Sequence, residues 1–169
     1  PSETPFSPGA DAAGRRALKA AALDLLAALG PDMGDRFMSV FDEARSMTEW
    51  AAALEALANS GSPLLDEALA RFYERWQSNP LVIDKWFAIQ AAAPRDDAIE
   101  RVQRLRDHAD FNTRNPNRVR ALAAAFAMRN PRAFHSADGA GYRFLADLTE
   151  AIDPNNPALA ARLLTPFES

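Results

Sequence analysis

The sequence predicts an all-α protein, and three observations predict it. Alanine is abundant while β-branched residues are scarce. No stretch alternates apolar and polar residues with Val, Ile or Thr dominant, as a half-buried strand would. Apolar residues instead recur at helical spacing between breaks rich in Pro, Gly and Asn.

The first helix is expected from about Asp11 to Leu29, with Leu18, Ala22, Leu25, Leu26 and Leu29 on one face and Arg15, Arg16, Lys19 and Asp24 mostly off it. Gly30-Pro31 stops it. A second runs from Asp32 to Ala44 with Met33, Phe37, Val40 and Phe41 in register, although Gly34 weakens its first turn. Thr48 with Glu49 opens a third, whose stripe is Trp50, Leu54, Leu57 and Ala58, and residues 59–62 close it. Ser62 as N-cap and Pro63 at the first helical position start a fourth, carrying Leu65, Leu69, Phe72, Tyr73 and Trp76.

Asn79-Pro80 then caps the most apolar element, Leu81 to Ala92. Val82, Trp86 and Ile89 occupy one side, Ile83 and Phe87 another, so this helix belongs at the centre of its fold. Trp86 and Phe87 read as core residues rather than a binding site. Asp84 and Lys85 interrupt the segment and suit either a neighbouring helix or a partner domain. A sixth helix, Asp96 to Ala109, buries Ile99, Val102, Leu105 and Ala109, with Asp97–Arg101 and Glu100–Arg104 pairs outside. The seventh starts at Asn115-Pro116 and ends before Asn130-Pro131, with Val119, Leu122, Ala123 and Phe126 inward. An irregular stretch holds Phe134 and His135. The eighth, Gly141 to Ile152, and a ninth ending near Leu164 complete the series.

Helices joined by short loops imply antiparallel neighbours. Consecutive hairpins suggest a HEAT- or armadillo-like α-solenoid, in which each pair covers the apolar face of the next. No sequence repeat is visible, and periodicity alone leaves a closed helical bundle equally open. The expected organisation is an extended lead-in over residues 1–10, one helical-repeat domain over 11–164 and a tail over 165–169, the whole a fragment of a longer multidomain chain.

Composition narrows the function. The 169 residues carry 48% hydrophobic and 25% charged residues with a formal net charge of -4, enough apolar content for a core and no overall footprint for nucleic acid or an anionic membrane. No apolar run reaches the length that spans a bilayer, so a soluble protein is expected. The start, Pro-Ser-Glu-Thr-Pro-Phe-Ser-Pro-Gly, has neither the basic region nor the apolar core of a signal peptide and reads as a cut inside a longer chain. The chain has no cysteine, which excludes disulfides and thiolate metal sites and fits a reducing cytosol.

Catalytic arrangements fail in turn. A helical zinc-protease site needs His-Glu-x-x-His, which brings two imidazoles to the ion from one face. The only two histidines, His108 and His135, lie in different elements and neither precedes Glu, so both read as solvated or hydrogen-bonded imidazoles. There is no Gly-x-Ser-x-Gly elbow, and Gly139-Ala140-Gly141 lacks the strand and Lys-Ser/Thr of a phosphate loop, which makes it a turn. Asp96-Asp97 and Asp66-Glu67 sit at helix starts, where they favour the macrodipole. One local feature stands out: nine arginines against five acidic residues between Arg95 and Arg132. It is either a solvated, ion-paired face or a wall facing anions or carboxylates, for which the arginine fork is suited. The stacking aromatics that RNA binding favours are missing there.

Three strings, in order, carry a resemblance: Gly14-Arg15-Arg16-Ala17-Leu18; Phe72-Tyr73-Glu74-Arg75-Trp76 leading to Pro80-Leu81-Val82-Ile83-Asp84-Lys85-Trp86-Phe87; and Asn115-Pro116-Asn117-Arg118-Val119-Arg120. Asn130-Pro131-Arg132-Ala133-Phe134-His135, Asp138-Gly139-Ala140-Gly141-Tyr142 and Asn156-Pro157 followed by Ala161-Arg162-Leu163 extend it over nearly the whole chain. In this order and spacing they resemble the carboxy-terminal helical domain of the bacterial aminopeptidase N family, zinc metallo-aminopeptidases of the gluzincin type.

The resemblance implies a domain of stacked helical repeats in a cytoplasmic multidomain hydrolase that releases amino-terminal residues from peptides. In that family zinc and a Gly-Ala-Met-Glu-Asn motif belong to a thermolysin-like catalytic domain. This chain contains neither motif, so no catalytic residue, metal site or cofactor of its own is expected. The implied partners are the catalytic domain of the same polypeptide and peptide substrates in a shared cavity, with no nucleic acid and no membrane. The helical domain walls that cavity and restricts access. Arg120 and Arg162, and with them Arg118, are the residues the resemblance puts on the cavity side, to orient peptide carbonyls or a carboxylate. A stand-alone helical-repeat adaptor that binds another protein is the alternative.

Overall fold

The computed structural model describes residues 7–168. Ser169 and residues 1–6 of the expected lead-in lie outside that range. Every regular element among the described residues is helical. The chain forms two compact units, divided between Glu74 and Arg75.

The first unit is built on α3, Met47–Asn59, which packs against both α1, Ala10–Ala27, and α2, Gly34–Glu43. A 3₁₀ turn, Pro31–Met33, joins α1 to α2. The start of α3 is a capping box that sequence reading had set two residues too late. Ser46 is the N-cap, its Oγ accepts from Glu49 N–H at 3.3 Å, and the Glu49 carboxylate accepts from Arg45 N–H at 3.0 Å. Of the expected stripe Leu54, Leu57 and Ala58 are buried and Trp50 is half-buried, and Ala52, Ala53 and Ala56 widen it. Small residues there let α1 approach closely through Leu23 and Ala27, the two residues of α1 that are buried.

That packing overturns the expected inner face of α1. Leu18, Leu25 and Leu29 are 72%, 76% and 67% exposed. Ala22 is exposed as well, and Leu26 is half-buried. The helix is apolar on two sides, and periodicity does not choose between them; contact with an alanine-rich neighbour does. Gly34 also has a role unlike the weak first turn expected of it. It is buried in α2, and a Cβ there would come 2.4 Å from Ser62 Oγ, so a side chain at this position would displace Ser62. Ser62 stands before the next helix in a turn, its Oγ accepting from Leu64 N–H at 3.2 Å, and α4 begins later than expected and spans Leu65–Trp76, so Ser62 is not its N-cap. Leu65, Leu69 and Phe72 are buried in it, while Tyr73 and Trp76 are half-buried.

The second unit surrounds α5, Pro80–Ala92. Val82, Ile83, Trp86, Phe87 and Ile89 are all buried, as a helix apolar on both sides requires. The Asn79 side chain caps its start and accepts from Val82 N–H. The buried Asn130 holds its end, donating to Ala91 O at 3.3 Å and Ala93 O at 2.8 Å. Around α5 lie α6, Ala98–Arg106, and a continuous helical run over 116–129. The sixth helix is shorter than expected: Ala98 takes a buried place, Ile99 is half-buried, and Ala109 lies exposed beyond its end.

The run over 116–129 is α7, Pro116–Val119, then a π-helical segment, Arg120–Ala124, then α8, Ala125–Arg129. The stretch expected to be irregular is a single helical turn, α9, Pro131–Phe134, capped by Asn130. Next comes α10, Ala140–Ile152, whose Gly141 lies against the backbone of Phe134. The last helix, α11, Pro157–Leu163, packs on α10. A 3₁₀ turn, Thr165–Glu168, brings Phe167 over Tyr142 with ring centroids 5.7 Å apart.

Candidate functional site

The basic stretch resolves into pairs once folded. Arg95, Arg101 and Arg104 all reach Asp97, at 3.1, 3.3 and 3.4 Å. Arg106 pairs with Asp107 at 3.3 Å, and Arg132 with Asp96 at 2.8 Å. Arg101 is buried and also donates to the buried Gln90 at 3.3 Å, while its partner Asp97 keeps a side chain 40% exposed, so the pair joins the interior to the surface. Burial raises the Asp97 carboxyl's affinity for a proton, but the Arg95 hydrogen bond and the charges of Arg101 and Arg95 prevail and hold it below the ordinary carboxylate value.

Arg118 and Arg120 are two residues apart and point to different places. Asn115 caps α7 and fixes the turn by accepting from Asn117 N–H and Arg118 N–H, at 3.0 and 3.3 Å. The Arg118 side chain then runs inward. Its Nε donates to Asp84 Oδ1 at 2.5 Å, its other nitrogens donate to Pro80 O at 3.2 Å and to Asp110 O, and its cationic carbon lies 4.8 Å from the Phe87 ring centre. The fork is consumed by internal partners, and the residue is buried. Arg120 is exposed, and its guanidinium donates to a neutral partner, Asn117 Oδ1 at 3.0 Å.

Arg120 opens the π segment, in which Ala125 N–H reaches back five residues to Arg120 O. The wider turn shifts the register of side chains between Arg118 and α8. Between α5 and this segment lies an open groove of about 580 Å³. Its floor is Ala88, Ala121, Ala124 and Ala125; Leu81 and Met128 form its apolar edges, and Asp84, Lys85, Asn117, Arg120 and Arg129 its polar ones. Since Asp84 is neutralised by Arg118, the remaining charge around the groove is cationic. A carboxylate, or the carbonyl edge of an extended peptide, is the chemistry that a small-residue floor and such a rim accept. Arg162, in the last turn of α11, is exposed and is not among the groove's lining residues. Sequence spacing gives no sign of the groove, because the π turn that shapes it has no residue signature.

A larger concavity of about 830 Å³ lies in the first unit, between the start of α1 and the cap of α3. It is lined by two carboxylates, Asp11 and Glu49, and Glu49 is engaged by Lys19 at 3.1 Å and by Arg45 N–H at 3.0 Å. Partial burial pushes the Glu49 carboxyl up, but the Arg45 N–H bond and Lys19 more than offset this and leave it below its ordinary value.

The histidines serve the fold. His108 packs against Trp86 and Phe87, at 5.2 and 5.8 Å, and its Nδ1 accepts from Asp110 N–H at 3.1 Å. His135 Nδ1 shares a hydrogen bond with Tyr142 Oη at 2.6 Å. Among the described residues no group of three or more His, Cys, Asp or Glu side chains could hold a metal ion.

Helices packed pair on pair, with no strand among the described residues, define the armadillo-type class of helical-repeat proteins. Residues 1–169 match the family model described as a domain of unknown function (DUF3458_C) with ARM repeats, and the chain belongs to that family. It is similar to aminopeptidase N of Caulobacter vibrioides, 45% identical over 96% of this chain and 19% of the relative. Aminopeptidase N of Escherichia coli is 40% identical over 90% of this chain and 18% of its own length. A crystal structure of Legionella pneumophila aminopeptidase A in complex with aspartic acid superimposes with a TM-score of 0.76 at 40% identity, covering 80% of this chain and 16% of that one. The chain thus spans less than a fifth of these relatives, and among its described residues no helix is long and apolar enough to cross a membrane.

Proposed function

We propose that this chain is the non-catalytic carboxy-terminal domain of a cytoplasmic zinc aminopeptidase, and that it walls the cavity in which peptides lose their amino-terminal residues. The observation that carries the reading is the similarity of almost the whole chain to a small part of each aminopeptidase N relative. In this reading zinc is held by the catalytic domain of the same polypeptide, and this chain supplies shape and charge. Its partners are that domain and peptide substrates, with no nucleic acid or membrane. The cysteine-free composition supports a reducing compartment.

Within the chain, the groove beside α5 supports a contact with peptide. Arg120 lines it with a guanidinium that, among the described residues, donates to an amide oxygen and not to a carboxylate, so the charge is available to a carbonyl or carboxylate on the leaving-group side. Arg162 is the second cavity-side cation. Arg118 acts one step back: its buried fork neutralises Asp84 and ties the start of α7 to α5, which sets where Arg120 stands.

The test is an aminopeptidase assay on the isolated chain, with and without added zinc, beside the intact polypeptide that contains it. Silence from the chain and turnover by the intact polypeptide are expected. Turnover by the chain alone, or an intact polypeptide with no His-Glu-x-x-His segment and no activity, would refute the reading.

A further inference from the structure

The leucines of α1 that sequence reading assigned to the core form an ordered feature on the outside. At about 100° per residue, Leu18, Ala22, Leu25 and Leu29 fall within about 60° of one another around the helix. Leu23 and Ala27, which bury α1 against α3, lie on the far side. From Leu18 to Leu29 the outer stripe carries no charge, and Arg15 and Asp11 continue its line at the start of the helix. Three leucines at least two-thirds exposed along one helix are not scattered surface residues. A helix apolar on both sides is a buried helix, and the terminal helix of a repeat stack that faces water has a polar outer side.

We infer that the outer stripe of α1 is an interface, and that its occupant is an apolar surface from another segment of the same polypeptide. Two observations choose that occupant. The relatives are about five times as long as this chain, so most of their polypeptide lies outside it. Between Leu18 and Leu29 the stripe offers no charged or hydrogen-bonding side chain, so the complement of that part is apolar rather than a nucleic acid or an acidic partner. The inference rests on the multidomain part of the proposed function and not on the arginines.

The experiment is hydroxyl-radical footprinting of the full-length polypeptide, read by mass spectrometry at Leu18, Leu25 and Leu29, with buried Leu23 as the internal reference. The three leucines are expected to react about ten-fold or more slowly in the folded polypeptide than in urea, close to Leu23. Leu25→Glu in the full-length polypeptide is expected to restore labelling at Leu18 and Leu29. Labelling of the wild type at the unfolded rate overturns the inference. So does protection that vanishes on dilution together with a dimer in sedimentation, which assigns the stripe to a second copy. Protection that requires added anionic vesicles also overturns it, by assigning the stripe to a membrane. Peptidase turnover of the same preparation is measured separately. Active polypeptide with fast labelling defeats this inference alone, and protected leucines in an inactive polypeptide defeat only the peptidase reading.

Discussion

Arg118 and Asp84 form an ion pair with little solvent around it: their side chains are 5% and 16% exposed, and Nε to Oδ1 is 2.5 Å. Asp84 interrupts the most apolar helix of the chain because Arg118, thirty-four residues on, needs a counter-charge in the interior. Removing one member of such a pair strands the other. Asp84→Ala is expected to cost about 3–5 kcal/mol in urea denaturation, and the double change Asp84→Leu with Arg118→Met clearly less, since no orphan charge remains.

Two glycines are expected to respond oppositely to alanine. A Cβ on Gly141 would come 2.4 Å from Phe134 O and 2.6 Å from its Cα, both backbone atoms that cannot swing away, so Gly141→Ala should lose about 1–3 kcal/mol or more. Gly14, in the middle of α1, has nothing within 4 Å of that position, and Gly14→Ala should gain about 0.5–1 kcal/mol from lower chain entropy. Thermal melts of the two variants test the contrast.

Trp86 sits in α5 with its ring 5.2 Å from both Phe87 and His108. Trp86→Ala should destabilise by about 3–5 kcal/mol. A melting temperature equal to wild type would contradict the central position of α5.

Acid should weaken the Asp97 cluster. The carboxyl is buried enough to be pushed up, yet the Arg95 hydrogen bond and the guanidinium charges hold it below its ordinary value. A depressed carboxylate stabilises the folded state above its unfolded pKa, and that contribution is lost as pH falls through the lower folded pKa. The difference in urea midpoint between wild type and Asp97→Asn should therefore be constant near neutrality and shrink below about pH 4.

In the full-length polypeptide, Arg120→Ala is expected to lower kcat/KM for peptides about 10- to 100-fold, the value of a charge-assisted hydrogen bond, while leaving the melting temperature nearly unchanged. Arg162→Ala should act in the same direction. Arg118→Ala should instead lower stability first. Equal kinetics for wild type and Arg120→Ala would remove the groove from substrate binding.

The sequence by itself determined the helices and their order, because apolar spacing, asparagine–proline starts and glycine stops act within a few residues. Asn79-Pro80 and Asn115-Pro116 each open a helix as read, Asn156-Pro157 opens the last one, and the apolar composition of α5 sufficed to put it inside. Tertiary contact alone decided which side of a two-sided helix is inner, so α1 turned Leu23 and Ala27, not Leu18 and Leu25, toward its alanine-rich neighbour. It also separated two arginines that look alike in sequence. A buried carboxylate on another helix draws Arg118 inward, and a π turn that no local propensity encodes leaves Arg120 on the rim of a groove.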